Sequence, residues 1–244
     1  MFLRIKSGKY ELEAMLLQPT TSLFVLFPVV VFVHGWNGDS TKGERVRKLS
    51  AKLLEAGFAC LLLNLPGHGC SSGKRVEFTV TIGSTALRSA LNWIEDQPQL
   101  DRDNISVVAA SIGASVAIHA AAYDSRIRRL VLHAPRTSFA DTTAQTYAFN
   151  DGGKPVVNRA IRRSGLRIDF YKLARRIKAP TLISHGELDP YIHPDQSQRL
   201  FGSIGSPTRQ LKICLGTGHM LGGKYLTEHV EEATDWLTKP HVVV

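Results

Sequence analysis

Short apolar runs alternate along the chain with amphipathic stretches, and this alternation indicates the fold. The apolar runs, several of them rich in β-branched residues, predict strands at 2–6, 11–17, 29–33, 58–63, 105–110, 127–133, 181–184 and 210–215. Apolar residues at helical spacing predict helices at 44–55, 80–95, 194–201 and 225–237, and an Ala-rich helix after residue 111. Strands and helices that alternate in this way predict an α/β fold, in which a mostly parallel sheet is covered by helices on both faces.

Residues 136–178 differ in character from the rest of the chain. They include a Gly-Gly pair, weak helical periodicity at 156–161 and many basic residues: Lys154, Arg159, Arg162, Arg163, Arg167, Lys172, Arg175, Arg176 and Lys178. We interpret this segment as a small insertion or lid over the C-terminal edge of the sheet. No change of composition marks a second domain, so 1–244 is predicted to be one domain. The apolar segment 23–27 is compatible with a longer strand, a contact surface or packing under the N-terminal hairpin.

The chain carries 30 Lys and Arg against 21 Asp and Glu, which gives a formal net charge of +9. Such a charge attracts anionic substrates, membrane surfaces or nucleic acids, and it is equally typical of a well-solvated basic surface. No zinc finger, RNP aromatic motif or basic region with heptads accompanies the charge. We therefore do not expect nucleic-acid binding.

The cysteines and the N-terminus bear on the cellular location. Three cysteines do not make a complete disulfide framework, and none has a CxxC or Cys/His ligand spacing, so we interpret them as free thiols in a reducing compartment. The N-terminus lacks the long apolar region and cleavage site of a signal peptide. The longest apolar run, 23–33, contains Pro28 and is shorter than the roughly 20 residues that cross a bilayer. We expect a cytoplasmic protein without stable membrane insertion.

Ser111 lies where a buried strand passes directly into the Ala-rich helix. A turn at this point aims the hydroxyl out of the sheet and places the amides of a helix N-terminus beside it, where they can hold a developing oxyanion. Ser111 is therefore the candidate nucleophile. Taken alone, it is explained slightly better as a serine that caps the helix.

An acyl-transfer site also needs a base, a carboxylate that orients the base, and amides that bind the oxyanion. His219, in a Gly-rich loop after the last strand, is the candidate base; its rivals are His185, His193 and His229. Asp189, in a loop directly after a strand, is the candidate acid; its rivals are Glu187 and Asp195. The amides of Trp36 and Ile112 are the candidate oxyanion donors, because Gly35 allows the backbone to approach a substrate closely. Each of these residues also has an ordinary explanation as part of a loop or turn.

Five motifs that end predicted strands or follow them support this assignment together: His34-Gly-Trp-Asn-Gly38, Leu65-Pro-Gly-His-Gly-Cys-Ser71, Ala109-Ala-Ser-Ile-Gly113, His185-Gly-Glu-Leu-Asp189 and Gly216-Thr-Gly-His219. With its candidates in the order Ser, Asp, His, the sequence resembles the α/β-hydrolase serine esterases from about residue 29 onward, including serine aminopeptidase-like and dienelactone hydrolase-like members. The resemblance implies the α/β-hydrolase fold. It also implies Ser111 as nucleophile, Asp189 as acid and His219 as base. The implied oxyanion donors are the amides of Trp36 and Ile112.

One residue departs from the G-x-S-x-G motif around the nucleophile, because Ala109 replaces the first glycine. Alanine is the smallest replacement, so we expect the turn to survive. His34 and His68 are explained in this family by loop structure and are not proposed as catalysts. The sequence has no H-x-x-x-H or H-E-x-x-H metal spacing and no phosphate-binding loop, and the resemblance implies no organic cofactor.

The resemblance implies a serine hydrolase that cleaves a carboxylic ester through an acyl-enzyme intermediate. The same triad serves peptidases and thioesterases, and a non-catalytic relative that binds a ligand or partner is a further alternative. If segment 136–178 covers the site, its cations favour a small-molecule ester that carries a carboxylate or phosphate. Acyl-chain length, natural substrate and oligomeric state stay open.

Overall fold

The computed structural model describes residues 1–20, 26–142, 144–151 and 154–240. Most of the apolar segment 23–27, for which three interpretations were open, lies outside these ranges, and so does the Gly-Gly pair at 152–153. No helix in the described part of the chain is long and apolar enough to cross a membrane.

The described residues form ten strands: β1 Phe2–Ser7, β2 Tyr10–Leu17, β3 Phe27–Val33, β4 Ala59–Leu63, β5 Leu100–Ala110, β6 Ile127–His133, β7 Ala148–Asp151, β8 Lys154–Val157, β9 Thr181–Gly186 and β10 Arg209–Cys214. Eight of them make one sheet in the order β1-β2-β4-β3-β5-β6-β9-β10, and β7 pairs with β8 separately. The sheet is parallel from β4 to β10, while β1 and β2 are antiparallel at one edge. The predicted, mostly parallel sheet is confirmed.

The same part of the chain forms seven α-helices: α1 Glu44–Glu55, α2 Val80–Glu95, α3 Ile112–Ala121, α4 Arg159–Gly165, α5 Phe170–Ala174, α6 Asp195–Ser203 and α7 Gly223–Thr238. Helices α1 and α7 pack on each other over one face of the sheet, and α2, α3, α5 and α6 follow one another in contact on the other. The prediction of helices on both faces is confirmed.

Strand β3 shows why the sheet is buried on both sides. Its residues alternate between two separate hydrophobic cores, because successive side chains of a strand point to opposite faces. Val29, Val31 and Val33 join the core beneath α2 and α3, whereas Val30 and Phe32 join the core beneath α1 and α7. An uninterrupted apolar run is therefore what this central strand requires.

Segment 136–178 contains a short 3-10 helix at Ala144–Tyr147, the β7–β8 hairpin, α4 and α5. The helical periodicity expected at 156–161 is wrong at its start, because β8 continues to Val157 and α4 begins only at Arg159. The physical reason is Asn158. Its Oδ1 atom accepts from the Ile161 amide and caps α4, while its Nδ2 atom donates to the carbonyls of Arg75 and Phe78.

Candidate active site

Ser111 occupies a strained turn between β5 and α3. Its backbone has φ 53° and ψ −119°, a conformation that is unfavourable for residues other than glycine. The residue stands at the N-cap position of α3, but its side chain makes no capping hydrogen bond. Its amide donates to the carbonyl of His133 on β6 at 2.8 Å. The helix-capping explanation of Ser111 therefore does not account for the role of its hydroxyl.

Close backbone packing keeps this turn in place. A Cβ atom on Gly113 would lie 2.3 Å from the His34 carbonyl oxygen and 2.7 Å from that of Val33, so only glycine fits here without a shift. The loop after β3 also approaches the serine, since a Cβ on Gly35 would lie 3.2 Å from the Ser111 Cβ. Ala109 is buried and keeps its parallel register with Val33 and Leu132. The strand thus accommodates alanine where the family motif has glycine.

The structure brings Asp189 and His219 together. The Oδ2 atom of Asp189 lies 2.6 Å from Nδ1 of His219, and the carboxylate is fully buried. The other carboxylate oxygen accepts hydrogen bonds from the amides of Tyr191 at 2.9 Å and Ile192 at 3.0 Å. Burial raises the pKa of Asp189, but the hydrogen bonds from His185 and His219 outweigh this effect and hold the pKa well below its usual range. Asp189 is therefore an anion that orients His219 by a charge-assisted hydrogen bond.

The loops that hold these two residues follow neighbouring strands, β9 and β10, and touch each other. The Leu188 amide donates to the Thr217 carbonyl at 2.7 Å, and a Cβ on Gly186 would lie 2.1 Å from the Gly218 carbonyl oxygen. Parallel pairing of β9 with β10 brings their C-terminal ends to one edge of the sheet. Ser111 follows β5 at the same edge.

His133, the last residue of β6, connects the Ser111 turn with the His219 loop. Its carbonyl accepts from the Ser111 amide, and its Nε2 atom lies 2.9 Å from the His219 carbonyl oxygen, to which it donates. Its Nδ1 atom is 3.0 Å from the Ser184 hydroxyl. Sequence reasoning missed this residue, although a polar side chain that closes an apolar strand was a usable signal.

The loop that carries Trp36 is held from two sides. The indole Nε1 atom donates to the Ala148 carbonyl in β7 at 3.2 Å. Nε2 of His34 accepts from the Leu65 amide at 3.0 Å, so its Nδ1 atom donates to the Gly35 carbonyl at 2.8 Å. Burial lowers the pKa of His34 to about 4, which keeps the ring neutral. The other predicted donor, the Ile112 amide, belongs to the first turn of α3, where helix amides have no partner within the helix.

The rival residues lie elsewhere or are already engaged. His193 and Asp195 are exposed and pair with each other at 3.2 Å. Glu187 accepts a hydrogen bond from the Gly216 amide. His185 is buried against Asp189, and His229 is buried in α7 against the ring of His133.

We expect His229 to make the fold sensitive to acid. Burial, together with the charges of Arg45 and Lys212, lowers the pKa of His229 to about 3. The unfolded chain titrates near 6.5 and binds the extra proton first, so stability falls as the pH drops below this value. Between pH 7 and pH 5, the free energy of unfolding in urea should therefore fall by roughly 2 kcal/mol more for the wild type than for His229→Leu.

The exposed His193 provides the control for this experiment. His193→Leu should keep the pH dependence of the wild type. An unfolding free energy of His229→Leu that falls as steeply as that of the wild type would contradict the assignment.

No group of three or more His, Cys, Asp and Glu side chains that could hold a metal ion occurs among the described residues. The arrangement offers a serine hydroxyl on a strained turn, an imidazole with an orienting carboxylate, and helix and loop amides beside the serine.

Comparison with known proteins agrees with this architecture. The sequence profile of the family described as the α/β hydrolase fold matches residues 28–155. An uncharacterized protein of Mycobacterium tuberculosis is 28% identical over 211 residues, which cover 83% of this chain and 68% of that protein. The structure of Est1E from Butyrivibrio proteoclasticus with bound ferulic acid has a TM-score of 0.78 at 20% identity, over 97% of this chain and 96% of Est1E. A monoacylglycerol lipase from Paleococcus ferrophilus has a TM-score of 0.73 at 21% identity, over 93% of this chain and 98% of the lipase.

These matches establish the class of the protein. The chain belongs to the α/β hydrolase fold family, and the resemblance inferred from its five motifs is confirmed. The two structural matches, at about a fifth identity, describe the shared fold.

Proposed function

We propose that the protein is a serine hydrolase that cleaves a carboxylic ester through an acyl-enzyme intermediate, with Ser111 as nucleophile, His219 as base and Asp189 as acid. The observation that carries the proposal is the 2.6 Å hydrogen bond between the Asp189 carboxylate and Nδ1 of His219. It leaves Nε2 of His219 as the nitrogen that takes the serine proton.

In the proposed reaction, His219 removes the Ser111 proton while the hydroxyl oxygen attacks the ester carbonyl. The amides of Trp36 and Ile112 bind the oxyanion, and the imidazolium then protonates the leaving alcohol. Water then attacks the acyl carbonyl while His219 takes one of its protons. That proton returns to Ser111 as the acid leaves.

Exposed apolar side chains in the loops that hold Asp189 and His219 support an apolar substrate. Leu188 and Tyr191 follow β9 and are 64% and 68% exposed; Leu215 and Met220 follow β10 and are 65% and 76% exposed. The Tyr191 ring meets that of His219 edge-on, with centroids 5.5 Å apart. Apolar groups at the rim of a site favour acyl or alcohol groups of matching chemistry.

A substrate panel tests the reaction class. We expect p-nitrophenyl esters to give a higher kcat/KM than aminoacyl amides or acyl thioesters of the same acyl group. A thioester or amide that exceeds the ester would replace the proposed substrate class by thioesterase or peptidase activity. A protein that turns over none of the three and does not react with a fluorophosphonate would instead be a non-catalytic member of the family.

A preference for anionic esters is a separate proposal that the basic segment motivates. Lys154 is in the β7–β8 hairpin, whose Ala148 carbonyl accepts from Trp36. Arg167, Lys172 and Arg176 instead line a cleft with Tyr123, beyond the end of α3 opposite Ser111. Of these four cations, Lys154 is therefore the candidate for attracting a substrate towards the Trp36 loop.

Ionic strength and one substitution test this preference. For an ester with a carboxylate in its acyl group, we expect kcat/KM to fall with added salt, and Lys154→Gln to lower it about threefold at low salt. Lys172→Gln is the matched control and should leave it unchanged. A kcat/KM for this ester that does not depend on salt would contradict steering.

We further propose that the reaction needs no cofactor and takes place in a reducing, cytoplasmic compartment. Free thiols at Cys60, Cys70 and Cys214 support the location. Activity that persists after exhaustive dialysis against a metal chelator is the expected result.

A further inference from the structure

A second histidine binds the same carboxylate oxygen as His219. His185, the fifth residue of β9, has no exposed surface, and its Nε2 atom lies 3.1 Å from Oδ2 of Asp189. The same nitrogen lies 2.8 Å from the Ile192 carbonyl oxygen. Its Nδ1 atom lies 2.6 Å from the hydroxyl of Ser197 in α6, which is also fully buried. The mechanism described above does not use this chain of contacts.

The partners determine where the proton of His185 lies. Nε2 faces a carboxylate oxygen and a carbonyl oxygen, which only accept hydrogen bonds, so Nε2 carries the proton. In the neutral ring Nδ1 then accepts the proton of the Ser197 hydroxyl. Ser197 thereby holds the ring in the orientation in which Nε2 of His185 donates to Asp189.

With His185 in this tautomer, the Asp189 carboxylate receives four donors. Oδ1 receives the amides of Tyr191 and Ile192, and Oδ2 receives the N–H of His219. Oδ2 also receives the N–H of His185, which is shared with the Ile192 carbonyl. A carboxylate has about four acceptor positions, so its orientation is fully determined. A donor on Oδ2 also withdraws negative charge from the oxygen that faces His219.

We propose that His185, oriented by Ser197, is a positioning residue that fixes the Asp189 carboxylate and weakens its attraction for the His219 imidazolium. This inference rests on the proposed serine hydrolase function. It predicts a role in setting the pH range of activity, which a merely space-filling histidine would not have. The weaker the carboxylate's pull on the imidazolium, the lower the pH at which His219 is neutral and able to act as a base.

The test compares pH profiles of kcat/KM on a p-nitrophenyl ester. His185→Leu combined with Ser197→Ala removes both partners without leaving a buried hydroxyl unpaired. We expect kcat to fall about 10- to 100-fold with little change in KM, a range typical of residues that orient a catalytic group. We also expect the acidic limb of the profile to move to higher pH, because the carboxylate then stabilises the imidazolium more strongly.

Two further variants keep the inference falsifiable if the double variant does not fold. His185→Gln retains an N–H donor near the position of Nε2 and should recover part of both the rate and the profile. Ser197→Ala keeps the ring but removes the hydrogen bond that orients it, so a several-fold loss of kcat is expected. Ser203→Ala, at a partly exposed serine that ends the same helix α6, is the control and should match the wild type.

The outcomes separate this inference from the proposed function. A wild type that neither cleaves the ester nor reacts with a fluorophosphonate overturns both. If the wild type cleaves the ester and reacts with the fluorophosphonate, and the folded His185 and Ser197 variants keep its rate and pH profile, only the role of His185 is overturned. A lower rate with an unmoved acidic limb also overturns it, because the role of His185 is then only structural.

Discussion

Ser111→Ala should abolish ester hydrolysis while the protein stays folded. The hydroxyl oxygen of Ser111 is the atom that bonds to the acyl group in the proposed intermediate, and alanine has no such atom. Loss of a nucleophile in a triad costs about 10⁴- to 10⁶-fold in kcat, and the oxyanion amides and substrate binding sustain the residual rate. We expect a loss in this range on a p-nitrophenyl ester, together with complete loss of fluorophosphonate labelling.

The fold should tolerate this change, since the Ser111 side chain makes no capping bond and its amide keeps the bond to His133. Ser125→Ala, at an exposed serine beyond the other end of α3, is the control and should label and turn over like the wild type. Labelling that persists in Ser111→Ala, or turnover within tenfold of the wild type, would remove Ser111 from the proposed mechanism.

Gly113→Ala should damage both stability and activity, although it adds a single methyl group. The new Cβ would meet the His34 carbonyl oxygen at 2.3 Å, and backbone on both sides cannot yield as a flexible side chain can. Overpacking of this kind costs about 1–3 kcal/mol or more. Because α3 must move away from the loop that carries Trp36, we expect kcat to fall at least tenfold, in addition to a lower urea midpoint.

Gly202→Ala is the matched control, since a Cβ there meets nothing within 4 Å and the residue is inside α6. It should leave activity unchanged and raise stability slightly, because alanine favours a helix over glycine. A Gly113→Ala protein with wild-type stability and turnover would show that the contact between α3 and the loop is not close in solution.

The sequence was most informative where signals are local. Helices α1 and α2 have the predicted bounds, because an amphipathic stripe and a stop signal lie within each segment. Thr79 caps α2 by accepting from the Ile82 amide, and Gly57, at φ +85°, follows the end of α1. The C-terminal ends of the strands were predictable for the same reason, because polar residues directly follow the apolar runs.

Segment 136–178 was less predictable because its structure depends on contacts with distant residues. The α4 cap at Asn158 is anchored to the carbonyls of Arg75 and Phe78, about 80 positions away. Helix α5 has only five residues, too few for a periodic pattern. Hydrophobic periodicity does not report such contacts.

At the candidate site, sequence order suggested which residues meet, but not what surrounds them. Three acidic residues follow β9 within a short stretch of sequence: Glu187, Asp189 and Asp195. Only the fold shows that Asp189 is the one whose buried carboxylate bonds to His219. Likewise, the donation from His133 to the His219 carbonyl joins positions 86 apart. The chain offers no local pattern for that pair.

The position of His133 has a consequence for how this protein can diversify. His133, at the end of β6, contacts both the Ser111 turn and the His219 loop and so sets the distance between them, although it belongs to neither. We therefore expect substitutions at Leu188, Leu215 or Met220 to alter what enters the proposed site without changing the separation of Ser111 and His219. Libraries of variants for new substrates should therefore change the tips of these loops and keep His133 and Ser184, which hold the end of β6 in place.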